Sequence, residues 1–143
     1  MSIEPALERE VRIDATPATV YEFLTDAAKW QQWMGTEVEL DMQAQQVYRI
    51  HIAGDLGPVA RCELLEADPA KRVAYSWGWE GDWNPVKPGM SRVEITLTAN
   101  GDGTILRLRH LGLPPGQVEF HAGGWETFLP RLAVVASGGQ LSW

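Results

Sequence analysis

Two histidines and one cysteine are the residues of this chain best suited to chemistry: His110, His121 and Cys62. An imidazole that titrates near neutral pH can act as a general base, ligate a metal, or sit hydrogen-bonded in a core. Cys62 with His110 would make a nucleophile and its base, provided two strands bring them within hydrogen-bond reach. None of the close Cys/His spacings of zinc sites occurs, so no metal and no cofactor is expected. A lone cysteine on the apolar face of a strand is ordinarily core. His110 therefore reads best as an anchor for a polar group of a ligand, or as a partner of Tyr48 or Tyr75, and binding would then be pH-sensitive. The carboxylates of Glu80, Asp82 and Glu119 fall in a loop or a first helical turn, where solvation or helix-dipole complementation is their usual role. No phosphate-cradling glycine loop, calcium loop, zinc-protease helix or nucleophile elbow is present, and Asn100-Gly-Asp-Gly103 is a hairpin turn. No catalytic residue is assigned.

Aromatic residues carry the stronger signal. Seven tryptophans in 143 residues call for a very aromatic core or an aromatic-lined site. Period-two alternation directs Tyr48, Cys62, Tyr75, Trp77, Trp79, Leu108 and His110 to one face of a sheet. Helical periodicity places His121, Trp125, Phe128 and Leu129 on one face of a helix. The expected ligand-binding set is Tyr48, Tyr75, Trp77, Trp79, Trp83, His110, His121, Trp125, Phe128 and Leu129. A plainer reading makes Trp33, Trp77 and Trp125 packing anchors. Trp79 and Trp83 flank a loop rich in proline and glycine, Glu80 to Met90, where exposed aromatics mark binding or a lid.

These residues need particular elements to hold them. Glu8 to Asp14 alternates as a first strand. Thr16-Pro17 is an N-cap followed by proline at the first helical position, with Val20, Phe23 and Leu24 as the buried stripe. Asp26 caps a second short helix that ends by Gly35 and presents Trp30, Trp33 and Met34 as an end plug. Val38, Leu40 and Met42 alternate; so do Tyr48, Ile50 and Ile52. The turn Gly54-Asp-Leu-Gly57 leads to Ala60, Cys62 and Leu64, and the turn at Asp68-Pro69 to Val73, Tyr75, Trp77 and Trp79. Val93, Ile95 and Leu97 and then Leu106, Leu108 and His110 complete the strands. Pro114-Pro-Gly116 leads into a long helix from Val118 to about Gly139, with Pro130 expected to kink or loosen it. Short turns join most strands, so the sheet should be antiparallel.

Composition bounds the rest. The length suits one domain, residues 1–143, with a core that needs no disulfide. A net charge of −7 without a basic cluster argues against nucleic-acid partners. Met1 to Pro5 lacks the features of a signal peptide and no run is long enough for a membrane span, so a cytoplasmic location is expected.

Thr16-Pro-Ala-Thr-Val-Tyr-Glu-Phe-Leu24, Trp30-Gln-Gln-Trp33, Glu66-Ala-Asp-Pro69, Val73-Ala-Tyr-Ser-Trp77, the run from Gly103 to Pro114, and Gly124-Trp125, in this order, resemble the helix-grip (SRPBCC or START-related) superfamily, to which the birch-pollen allergen belongs. The branch they are most similar to is the C-terminal domain of the activator of the heat-shock protein 90 ATPase. The resemblance implies an α+β fold in which a curved antiparallel sheet of about seven strands wraps around a long C-terminal helix, with two short helices between the first two strands. It also implies a cavity that in many relatives receives an apolar small molecule. Gln43-Ala-Gln-Gln46 stands where that branch often has paired glycines, a departure that leaves the turn's geometry open. The resulting expectation is noncatalytic binding of a small apolar or amphipathic molecule. The alternatives are a cyclase, dehydratase or hydrolase using cavity His and Tyr residues, and a co-chaperone-like module with a chaperone partner. A homodimer through exposed strand edges stays open.

Overall fold

A computed structural model describes residues 5–35, 37–41, 46–52, 54 and 57–140. Met1 to Glu4, Met42, residues 43–45 of the glutamine-rich turn, and Asp55 and Leu56 of the following turn lie outside them. The elements are β1 (Pro5–Ile13), α1 (Pro17–Thr25), α2 (Ala27–Trp30), β2 (Glu37–Asp41), β3 (Val47–His51), β4 (Val59–Asp68), β5 (Arg72–Trp79), β6 (Ser91–Asn100), β7 (Gly103–Leu111), a 3-10 turn (Pro115–Gln117) and α3 (Val118–Ala136). The fold is α+β: seven strands form one antiparallel sheet in the order β1-β7-β6-β5-β4-β3-β2.

Local chemistry starts and stops these elements as the side chains require. Thr16 accepts a hydrogen bond from the Thr19 amide and Pro17 opens α1, while Asp26 accepts from the Lys29 amide at the head of α2. Tyr48, Ile50, Ala60, Cys62, Val73, Tyr75, Val93, Ile95, Leu106, Leu108 and His110 are all buried on the concave face. From α3, His121, Trp125, Leu129, Leu132, Val135 and Ala136 are buried, and the half-buried Phe128 borders them. The helix runs without interruption through Pro130, which is exposed; the backbone donor that proline lacks is missing on the solvent side, where it disturbs packing least.

Two features decide where space remains inside. α3 packs closest along β1, where Arg9 and Glu126 form an ion pair of 2.8 Å. That leaves the half of the concavity under β3, β4 and β5 to be filled by side chains. At one end, α1 and α2 fill it. Trp33 is wholly buried and donates its indole N–H to the Phe23 carbonyl, 2.9 Å; Trp30 stacks on Trp33 and meets Tyr48 and Tyr75 at ring separations of 5.0 and 5.1 Å. The other end stays open.

Candidate functional site

The open end is a cavity of about 420 Å³. Trp77 and Trp79 project into its wall from the end of β5, His121, Trp125 and Phe128 from α3, and Met34, Ile52 and Pro58 from the opposite rim. Trp83, from the loop after β5, and Phe120, from the first turn of α3, stand at the mouth, each about half exposed and 5.9 Å apart ring to ring. None of the described residues lining the cavity is Lys, Arg, Asp or Glu. An apolar, aromatic concavity with few polar groups is the usual form of a small-molecule site.

His121 lines its inner edge and His110 lies behind it, each with both ring nitrogens engaged. Trp125 donates its indole N–H to His110 Nδ1 at 3.1 Å. The ring proton of His110 must therefore lie on Nε2, where it points at Ser91 Oγ, 2.9 Å away; the Ser91 hydroxyl in turn donates to the Trp77 carbonyl at 2.7 Å. His121 is the opposite tautomer. Its Nε2 accepts from the Trp79 indole at 3.0 Å, so Nδ1 carries the proton and donates to the Gln117 carbonyl at 2.8 Å. Desolvation, with His121 nearby, drives the His110 pKa down to about 3. Burial lowers that of His121 as well, partly opposed by its bond to Gln117. Both imidazoles are neutral hydrogen-bond relays at physiological pH.

The loop from Glu80 to Met90 is tied over the site. Trp79 donates its amide to the Val86 carbonyl, the Val86 amide donates to Asn84 Oδ1, and Asn84 Nδ2 donates to Gln117 Oε1 at 3.0 Å. Asn84 and Val86 are buried, whereas Trp83 between them and Trp79 is turned outward. Glu80 forms a two-pronged ion pair with Arg49, 2.7 and 2.8 Å, and lies 3.5 Å from Arg61. Arg49 holds its carboxyl below the ordinary range, so it is a rim tie and not a cavity acid. Asp82 and Glu119 are exposed.

Of the residues expected from the sequence to bind a ligand, Trp77, Trp79, Trp83, His121, Trp125 and Phe128 come together at the cavity. The other four fall elsewhere. Tyr48 and Tyr75 belong to the plug, where their hydroxyls donate to the backbone carbonyls of Thr25 and Leu24, so neither is free to orient a ligand or to bond His110. Burial pushes the Tyr48 hydroxyl pKa up to about 12. His110 lies one layer behind the wall, covered by Trp77 and Trp125. Leu129 is packed in the core. The Cys62/His110 pair does not form: Ser91 and Trp125 occupy both nitrogens of His110, and complete burial raises the Cys62 thiol pKa well above its usual value. Phe120 was not anticipated because it lies off the apolar stripe of α3; its only sequence signal is an aromatic side chain in the first turn beside His121. Among the described residues no group of three His, Cys, Asp or Glu side chains gathers, and no helix is long and apolar enough to cross a membrane.

Comparison with known proteins agrees with this architecture. A family model described as "Activator of Hsp90 ATPase homolog 1-like protein" matches residues 14–137. Among solved structures, an AHSA1-like protein from Rhizobium etli is 38% identical over 96% of this chain and 84% of its own, with a TM-score of 0.73. DynU16, from the dynemicin biosynthetic locus, is 27% identical over 94% of this chain and 48% of its own, with a TM-score of 0.76. CalU16 from Micromonospora echinospora is 27% identical over 92% of this chain and 75% of its own, with a TM-score of 0.70. A search of curated proteins gave no match. The chain therefore belongs to the activator of Hsp90 ATPase homolog 1-like family, a branch of the helix-grip superfamily.

Proposed function

We propose that the protein holds a small apolar or amphipathic molecule, without transforming it, in the cavity between β5 and α3. The observation that carries this reading is the charge-free aromatic wall of Trp77, Trp79, Trp125 and Phe128 with Trp83 and Phe120 at its mouth. Such a wall gains free energy from apolar contact, roughly 25 cal/mol per Å² removed from water, and an ion placed against it would lose hydration without a partner.

Hydrolysis or cyclisation on this scaffold needs an acid or base with a free lone pair or proton at the cavity, and the two imidazoles spend theirs on Trp79, Trp125, Ser91 and Gln117. The chaperone-activating reading rests on the family description. Native mass spectrometry of freshly purified protein, repeated after organic extraction, tests the proposal. A co-purifying mass lost on extraction is the expected result. An empty protein that also takes up nothing from a panel of lipids and aromatic compounds would sink it.

A further inference from the structure

Two glycines stand in the middle of α3 at the cavity wall, and the backbone has no need of them. Gly123 and Gly124 lie inside an unbroken helix, so neither has the left-handed φ that Gly54, Gly81 and Gly112 adopt. Neither is a point of close approach. A Cβ at Gly103 would stand 2.7 Å from the Ile13 carbonyl oxygen, whereas a Cβ at Gly123 or Gly124 meets nothing within 4 Å beyond the flanking residues and the helix's own backbone. After proline, glycine is the least favourable residue in a helix interior. Alanine would make the better helix at both positions, and the space for its methyl group is there.

That space is the cavity. Residues three and four positions apart are neighbours on a helix surface; for Gly124 these are Phe120, His121, Thr127 and Phe128, and all four line the cavity, as Gly124 itself does. Gly124 is half-buried and marks the centre of the arc of α3 that faces the open space. Gly123 is exposed and marginal, since its neighbours Glu119 and Glu126 are not among the described residues lining the cavity. We infer that Gly124 determines what the cavity admits: its missing side chain leaves a strip of bare helix backbone that seats a broad, flat, uncharged fused-ring molecule. Phe120 and Phe128 bound this strip two turns apart, about 12 Å along the helix axis. Across from it Trp77, Trp79 and Trp125 stand at ring separations of 5.2 to 5.7 Å, an array to which a planar ring system adds by stacking and edge contacts. A slender ligand has no use for the width that a methyl group at 124 would remove, and a broad one does. This role rests on the cavity being a ligand site, and it names the shape that site selects.

Naphthalene and fluorene form a probe pair that separates the two ideas, since both are flat, apolar and uncharged and they differ in breadth. Equilibrium dialysis should show both binding to the wild type. In Gly124→Ala, fluorene affinity should fall roughly tenfold relative to naphthalene, the effect of one methyl-sized group in an apolar pocket. Gly124→Leu fills more of the same space and should abolish fluorene binding. The thermal unfolding midpoint of ligand-free Gly124→Ala should meanwhile rise by about 2–5 °C, because alanine is the better helix former. Gly123→Ala stiffens the same turn from the margin and should cost less fluorene affinity than Gly124→Ala. Unchanged fluorene affinity in both Gly124 variants, or a wild type that binds naphthalene alone, overturns the role of Gly124 while leaving the cavity reading intact. Binding of neither probe to the wild type overturns both. An equal loss of both probes, an equal loss of fluorene from Gly123→Ala, or a lowered midpoint would show that the glycines serve the helix and not the space beside it, and the inference would fail.

Discussion

His110 shows how a residue capable of chemistry becomes structural. Its ring is wholly buried, accepts from Trp125 at Nδ1 and donates to Ser91 at Nε2, and a second proton on Nδ1 would confront the Trp125 N–H with a cation's N–H. In the unfolded chain this imidazole titrates near its ordinary value of 6.5, but in the fold only near 3. As pH falls below 6.5 the unfolded state takes up a proton that the folded state refuses, so stability declines from there to about pH 3 and is fully present above 6.5. At pH 5 the loss from this group is about 2 kcal/mol. His110→Gln keeps an acceptor for Trp125 and a donor for Ser91 but does not titrate. Denaturant unfolding between pH 7 and pH 4.5 should therefore show a shallower acid decline in the variant, and parallel curves would refute the burial argument. His110 was legible in the sequence as an inward-facing residue of β7. Its partners were not, because alternation along a strand fixes a side chain's face but is silent about which residue of α3 comes to rest on it.

At the scale of elements, β5 and the loop after it organise the mouth. Gly78 lies between two buried tryptophans, and a Cβ there would stand 2.1 Å from the Lys87 carbonyl oxygen, so the loop backbone passes where no other residue leaves room. That close approach lets Trp79 reach the Val86 carbonyl and Asn84 reach Gln117, and it converts eleven residues without regular structure into a fixed rim. Gly78→Ala must push the loop outward. The expected result is a loss of about 2–3 kcal/mol in unfolding free energy together with faster hydrogen exchange at the amides of Trp79 and Val86. A variant within about 0.5 kcal/mol of wild type with both amides still protected would contradict it. The sequence marked this segment as a loop by its prolines and glycines, and Trp83 as its exposed aromatic. It did not reveal the bonds through Asn84 and Gln117, which join positions 33 residues apart. Likewise, the bulge where the β4 register shifts between Leu64 and Glu66, leaving Leu65 exposed, lies inside a run that reads as regular alternation.

For the whole molecule, the aromatic residues divide into two groups with different tasks. Period-two alternation set Tyr48, Tyr75, Trp77 and Trp79 on one concave face, correctly. It gave no position along the strands, so the sequence could not show that α1 and α2 close over the first two while the last two face a cavity. The division makes stability and occupancy separable. Trp33 is completely buried and bonded to Phe23; Trp33→Ala removes a large core side chain and should lower unfolding free energy by about 3–5 kcal/mol. Trp83 is 46% exposed and touches mainly Trp79 and Phe120. Its replacement by alanine should change stability by less than about 1 kcal/mol, since its ring is already half in water. It should nevertheless weaken fluorene binding severalfold, because the ring forms part of the wall a bound molecule would cover. The converse pattern, a Trp83→Ala protein that is markedly destabilised yet binds as before, would mean that the mouth aromatics are a satellite of the core. If Trp33→Ala remains folded, its affinity for fluorene should match wild type, because Trp33 itself is not among the residues lining the cavity.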